Sequence, residues 1–460
     1  MSTPTIEADY LVTGTGAAGM AFVDALITDS EARIVMVDRR HAPGGHWNDA
    51  YPFVRLHQPS AYYGVNSLPL GEDRIDCWGG NEGLQERASA AEICGYYNRV
   101  MDHCLLPSGK VQHFPMCDYL GEHRFVSRVS GIEYRVSPRA KLVDANYLQP
   151  DVPSRTPPPF EVAAGVRCIA VNQLATLSEA AARYVVVGGG KTAIDACLWL
   201  LERDVAPEHI RWIRPRECWL VNREFGQSGD HVASILDGLS LQMEAAAQAE
   251  SIADLFQRLE ASAQLMRIDS NIEPSMFKYA TVSTRELEQL RRIKDVVRLG
   301  RVKRIDADQI VLERGTIPTA ADHLHVHCAA AGLKLAPPVP IFAEDRITLQ
   351  PVRAGLVPFN AAIVGYIEAT RTDTAEKNRL CPPNPYPDAP FDWLRSTIVQ
   401  MRADRAWAAQ PDIAAWLERS RLNASRGLLD HANEVRVQDA FARFRTHVKA
   451  GLQNLEKLIA

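Results

Sequence analysis

The sequence predicts an α/β fold containing two dinucleotide-binding units, and three observations carry that prediction. An apolar run enters a glycine turn with G-x-G-x-x-G spacing at Gly14, Gly16 and Gly19. A second strand, glycine turn and helix pattern recurs at Tyr184–Leu201. Between them, Pro150 to Pro159 holds five prolines in ten residues, a composition that suits neither helix nor central strand and reads as a stiff domain boundary. At 460 residues the chain has material for two or three domains with large cores.

In the first unit Tyr10-Leu-Val-Thr13 reads as a strand, Met20 to Ile27 as an amphipathic helix, and Ile34-Val-Met-Val37 as a second strand ending at Asp38, 24 positions after Gly14. Gly14 permits a tight turn, Gly16 lets the backbone approach a pyrophosphate, and Gly19 lets the helix pack closely on the strand. The helix N-terminus supplies free N–H groups for phosphates, and Asp38 accepts hydrogen bonds from ribose hydroxyls.

Next come the breaker-rich loop Arg39–Trp47 and Tyr51–Ser60, which reads as a strand leaving into a loop. Ala90 to Asp102 has helical spacing, and Arg124-Phe-Val126, Ile132–Val136 and Lys141–Ala145 read as strands. In the second unit Gly188-Gly-Gly-Lys-Thr192 opens a helix with Ala193 in the third small-residue place. A Walker A reading fails because Val185 stands where that motif needs glycine. The next strand, Ile210–Arg214, ends on Arg214-Pro-Arg216, with Arg223 further on, where an acid would suit NAD. Guanidinium groups suit a 2′-phosphate, so NADP is favoured over NAD.

Residues 226–295 read as mostly helical, with Ser283-Thr-Arg-Glu286 in the form of a capping box. His323, His325 and His327 alternate on one strand face, and no other ligand cluster accompanies them, so no metal site is expected. Phe359-Asn360 leads into a helix, and the chain closes as a basic amphipathic helix from Ala440, a candidate for pairing subunits as a homo-oligomer.

A net charge of −5 without blocks of like charge gives no support to a nucleic-acid or anionic-membrane surface. No apolar run has membrane-spanning length, and a first strand within about ten residues of Met1 leaves no room for a signal peptide. The nine cysteines are scattered without a C-x-x-C pair, as in a reduced compartment, and a cytoplasmic protein is expected.

Two dinucleotide folds in one chain, the first ending in an acid and the second in arginines, resemble the two-dinucleotide-binding-domain flavoproteins. In that superfamily the first site holds FAD and the second, inserted into the first domain, holds NAD(P)H. Gly44-Gly45-His46-Trp47 looks like the G-G-x-W of flavin-containing monooxygenases and their N-hydroxylating or Baeyer–Villiger relatives. Disulfide reductases of the same architecture carry a redox cysteine pair, and the spacing here offers none. The resemblance covers most of residues 5–370. It implies an FAD domain at 1–150 and 323–372, an NADPH domain at 151–322 with a helical insertion at about 226–295, and a helical extension at 373–460.

Carried over, the resemblance gives Gly14, Gly16, Ala18 and Gly19 to the FAD pyrophosphate, and Asp38 and Arg39 to its adenosine end. Gly45, His46 and Trp47 would lie along the flavin, with Gln58 bonding near its reactive edge and His46 and His57 as polar neighbours. Gly188, Gly190, Lys191 and Thr192 would cradle NADPH, with Arg214, Arg216 and Arg223 on its 2′-phosphate. Ala331 falls in the small-residue turn Ala329–Gly332, where the chain re-enters the FAD domain. Phe359 and Asn360 open a helix whose positive end approaches the flavin's pyrimidine end. The family's F-x-G-x-x-x-H signature is not met: Phe160 to Asn172 contains no histidine and a shifted glycine. Val143-Asp144-Ala145-Asn146-Tyr147 also departs from the usual A-T-G.

The activity so implied is an FAD-dependent, NADPH-reduced monooxygenase. It would use molecular oxygen through a C4a-hydroperoxyflavin on a small organic substrate with a heteroatom or carbonyl. Such chemistry needs a dry crevice between the nucleotide domains and no catalytic triad. Two readings stand beside it: a flavin reductase passing electrons to a small acceptor, and a nucleotide-binding partner protein without turnover.

Overall fold

The structure is a computed structural model and describes residues 5–330, 332 and 335–460. Two five-stranded sheets, each wholly parallel, form its frame. The first runs Arg346–Thr348, Lys141–Asp144, Tyr10–Thr13, Ile34–Val37, Val111–Phe114 in spatial order. All four residues of Ile34–Val37 are buried, as expected of a parallel strand covered on both faces.

Helix Ala17–Thr28 crosses between the two central strands. Its sequence reads as amphipathic from Met20, yet every residue from Gly19 to Leu26 is buried. The sheet covers one side, and the helix Val357–Thr370 packs along another. The two helices approach so closely that a Cβ on Gly365 would lie 2.5 Å from the carbonyl oxygen of Phe22.

The second sheet runs Cys168–Ala170, His323–His327, Arg183–Val187, Ile210–Ile213, Asp295–Val297. His323–His327 lies between two strands of this sheet, which corrects the expected boundary at 322–323: the return to the first unit comes after that strand. The Tyr51–Ser60 segment also differs from expectation. It is an irregular loop whose one bridge is Arg55 to Ser89, because its polar groups turn toward the second unit instead of a strand partner.

The insertion at 226–295 holds helices Ala233–Gln248 and Ile252–Ala261, but also strands Leu265–Met266 and Met276–Val282, which flank Cys218–Asn222 in a small sheet. The C-terminal helix Val435–Leu458 lies along Ala233–Gln248, where a Cβ on Gly451 would meet the Met243 carbonyl oxygen at 2.7 Å. Its buried positions, Val437, Ala440, Gly451 and Leu455, are thus used within the chain. Among the described residues no helix is long and apolar enough to cross a membrane.

Gly365→Ala is expected to lower stability by about 1–3 kcal/mol, the usual cost of overpacking a closed core. The fall should be read as an earlier chemical-denaturation midpoint. An unchanged midpoint would show that the helix pair can separate at no cost.

Candidate functional site

The first glycine turn is held by contacts that each need a missing side chain. Gly14 has φ +104°, and a Cβ there would meet Asn146 Oδ1 at 2.8 Å. Asn146 in turn donates from Nδ2 to the Thr13 carbonyl at 2.8 Å. A Cβ on Gly19 would lie 2.0 Å from the Gly14 carbonyl oxygen, so the helix begins in contact with the turn. Gly16 faces Gly45 backbone to backbone: a Cβ on Gly45, at φ +58°, would sit 2.8 Å from the Gly16 Cα. Asp38 accepts from Thr15 N at 2.7 Å and Thr15 Oγ1 at 3.0 Å, and its other oxygen accepts from Arg40 N at 2.9 Å. An ionised carboxylate has about four acceptor positions, so capacity for a ribose hydroxyl remains.

Above this turn opens a cleft. It lies beyond the carboxyl ends of four parallel strands, which deliver Gly16–Ala18, Asp38 with Arg40, Ala145–Asn146 and Leu349–Pro351 to its wall. The helices Ala17–Thr28 and Val357–Thr370 both start at the cleft, and neither N-cap residue makes a side-chain cap bond, so main-chain N–H groups are left facing it. Of the residues expected from sequence, Gly16, Ala18, Asp38, Gly45, His46 and Asn360 line the cleft. Burial, and then the Arg40 charge, pull the His46 imidazole down to about 4 against the pull of Asp49, so it is neutral at pH 7.

Other expected residues stand elsewhere. Arg39 is exposed, and Arg40, ion-paired to Asp49 at 2.7 Å, takes the wall position. Phe359 is fully buried against Trp407, Trp416 and the Arg353 guanidinium because the helix already begins at Val357 and turns its ring into the core. Its ring is therefore turned away from the cleft, which the segment meets through Val357, Asn360 and Ala361. Trp47 donates to the Tyr63 hydroxyl at 2.7 Å and packs against the cores of both units. Gln58 donates to the Tyr62 carbonyl at 3.4 Å and is not part of the cleft wall. Ala331 lies outside the described residues. Gln350, Pro351 and Tyr386 also line the cleft from far along the chain, where no motif or spacing marks them.

The second turn repeats the pattern. At Gly188, φ +146°, a Cβ would meet the Cys328 carbonyl oxygen at 2.8 Å, and at Gly189 it would meet that of Arg216 at 2.7 Å. Gly190 faces open space among the described residues and is the uncapped N-cap of helix Lys191–Leu201. The Trp212 indole donates to the Gly188 carbonyl at 2.8 Å and fixes the turn. Lys191 pairs with Asp195 one turn on, and Tyr51 from the first unit donates to the same carboxylate at 2.6 Å. Thr192 opens the same helix.

The arginines separate. Arg214 is 2% exposed, lies over the Trp212 ring at 4.6 Å and pairs with Glu217 at 3.1 Å. Arg223 is 1% exposed and donates to the His57 and Thr281 carbonyls, Asn81 and Glu286. Their burial corrects the placement of both at an open 2′-phosphate site: Arg223 is spent on four partners, and Arg214 is enclosed with Nε and Nη1 making no hydrogen bond among the described residues. Arg216 is half-buried and held by Asp388 at 2.9 Å, and it alone of the three is open to solvent.

Glu286, the acid of the predicted capping box, also ties the units together. One oxygen accepts from Arg87 of the first unit at 2.9 Å, and the other accepts from Arg223 at 2.7 Å. Burial pushes its carboxyl up, but Arg223, Arg87 and Lys191 outweigh burial and bring it down to about 2. His57 beside them is held neutral by burial and by the charges of Lys191, Arg223 and Arg87. Among the described residues no cluster of three or more His, Cys, Asp or Glu is placed to hold a metal ion, and His325 is instead bonded to Thr319 at 3.0 Å.

No protein-family model matches the chain. An uncharacterized protein of Mycobacterium tuberculosis is 47% identical over 459 residues, covering 99% of this chain and 85% of the relative. An uncharacterized protein of Mycobacterium bovis matches with the same figures. The chain belongs to this mycobacterial family. Similar solved structures include a flavin-containing monooxygenase from Stenotrophomonas maltophilia, at 14% identity over 79% of this chain and 97% of that one, with TM-score 0.44. Open cyclohexanone monooxygenase matches at 14% identity over 82% and 92% of the two chains, TM-score 0.49. A bacillithiol disulfide reductase from Bacillus cereus matches at 12% identity over 87% and 100%, TM-score 0.45. In this member of the mycobacterial family all nine cysteines are free.

The Glu286 ion pairs set an acid limit. Its folded value lies below the ordinary 4.5, so the stability it contributes is full above pH 4.5 and is lost as pH falls through about 2. Glu286→Gln is expected to cost about 3–5 kcal/mol at neutral pH, because it strands two buried guanidinium groups. The difference from the parent protein should shrink as the pH is lowered toward 2. Denaturation measured across pH checks this, and a gap constant down to that pH would contradict it.

Proposed function

We propose that the protein is an FAD-dependent, NADPH-reduced monooxygenase acting on a small organic substrate. The observation that carries this reading is the cleft at the carboxyl ends of four parallel strands, where two uncapped helix N-termini, a backbone-only floor and an acid converge. Ligands of open α/β sheets bind in such crevices. The residues present fit FAD: Gly16 and Gly45 meet main chain to main chain, so no side chain stands between the cleft and the N–H groups that open helix Ala17–Thr28, and Asp38 lies in the same wall. The second turn fits the phosphates of NADPH at Gly190 and the following N–H groups, with Arg216 as the guanidinium nearest to availability.

Bound there, FAD supplies two-electron redox and oxygen chemistry, with NADPH as the source of electrons. The chain's part is binding and exclusion. The helix beginning at Val357 offers N–H groups to developing negative charge, and Asn360 fixes that turn by accepting from Val352 N and Arg353 N at 3.1 and 2.7 Å. His46 stands neutral in the wall, so it adds no charge to the cleft. The absence of a cysteine pair argues against dithiol relay chemistry.

Apo-protein titrated with FAD is expected to bind it stoichiometrically. NADPH without oxygen should then bleach the flavin absorbance, and Gly45→Ala should abolish binding while leaving the circular dichroism unchanged. With oxygen and a cognate amine, thioether or ketone, one labelled oxygen atom should appear in the product. Complete release of consumed oxygen as peroxide with every substrate would move the assignment to a flavin reductase. Failure to bind FAD at all would end the flavoprotein reading.

A further inference from the structure

The C-terminal chain enters the cleft through one side chain. Tyr386 lies in Cys381-Pro-Pro-Asn-Pro-Tyr-Pro387, between the helices Thr374–Leu380 and Pro390–Ala408. It lines the cleft with Gly45, His46, Gln350, Pro351 and Asn360. Its hydroxyl is buried and meets no hydrogen-bond partner among the described residues. A buried polar group left without a partner costs about 1–3 kcal/mol, so its persistence calls for a group that satisfies it.

The loop holds this hydroxyl in place. Pro385 and Pro387 flank the residue and fix the backbone on either side. Asn384 N donates to the Pro351 carbonyl at 2.7 Å, and Asn384 Nδ2 donates to the carbonyls of Val352 and Ser396 at 3.3 and 3.1 Å. Tyr386 is thereby tied to the segment that leads into helix Val357–Thr370. Its phenol stands near those of Tyr279 and Tyr63, both kept neutral by burial, and Tyr63 accepts from the Trp47 indole. The phosphate and ribose groups, in contrast, belong to the Gly16 turn and Asp38. Burial, with those two tyrosines, raises the phenol far above its ordinary value, so it acts as a neutral donor.

We propose that Tyr386 contacts the cofactor directly, its hydroxyl donating a hydrogen bond to a carbonyl oxygen or ring nitrogen of the isoalloxazine, so that the C-terminal extension completes the ring end of the cleft. This rests on the reading of the cleft as an FAD site. The expected effect of Tyr386→Phe is FAD binding weakened about fivefold, the worth of one hydrogen bond of about 1 kcal/mol, together with a displaced absorbance band of the bound flavin. Titration of apo-protein with FAD, parent against variant, reads both. Unchanged affinity and spectrum would overturn the role of Tyr386 and leave the FAD site standing. If the parent protein takes up no FAD, both fall. Should the variant lose its circular dichroism, hydrogen exchange in the parent protein decides: amides of the 381–389 segment slow on adding FAD if the contact forms, and an unaltered rate overturns it.

Discussion

One carboxylate carries much of the constraint between the two sheets. Glu286 sits at the third position of a short helix in the second unit, and its two oxygens are divided between Arg87 and Arg223. Arg223 in turn holds the His57 carbonyl of the first unit, while Tyr51 crosses to Asp195 at the second glycine turn. These contacts hold the two sheets in one relation to each other. A buried ion pair is poor at adding net stability but good at selecting one geometry, and its disruption leaves unpaired charge in a dry interface. The placement of Trp47 against both cores adds apolar surface to the same seam.

Much of the frame was legible in the sequence because its determinants are local. Gly19 is required by a contact within a single strand-turn-helix, against the Gly14 carbonyl, and the spacing records it, whereas Gly14 and Gly16 meet the distant Asn146 and Gly45. The capping boxes and the apolar strands are equally local. What the sequence could not show is which side of an element faces inward. Arg214, Arg216 and Arg223 look alike as residue types, but the first lies over Trp212, the last enters the ion-pair seam, and only Arg216 meets solvent. The helix read as amphipathic is buried all round because a second helix, more than 300 residues away, covers the face left by the sheet. Tyr386 was invisible for the same reason: no spacing rule connects a proline-rich loop to a turn at residue 16.

The cleft also shows how a departure from a family pattern can be absorbed. Asn146 falls in the stretch that departs from the A-T-G of the flavoproteins the sequence resembles, and its side chain folds back to the Thr13 carbonyl and fills the space beside Gly14. The first turn is therefore braced by a side-chain amide, while its floor stays backbone against backbone at Gly16 and Gly45. The site is altered in how it is supported, and the surface it presents at that floor remains bare main chain.

The crossing of Val435–Leu458 over Ala233–Gln248 joins two distant parts of the chain. Gly451 admits the Met243 carbonyl, and Leu455 shares a core with Met243, Phe256, Trp393 and Leu394. The insertion and the tail are thus halves of one small body, though nearly 200 residues of chain separate them. Each covers apolar surface of the other, so a chain that lacked one would expose that face to water. The two segments are one packed unit written in two places along the chain.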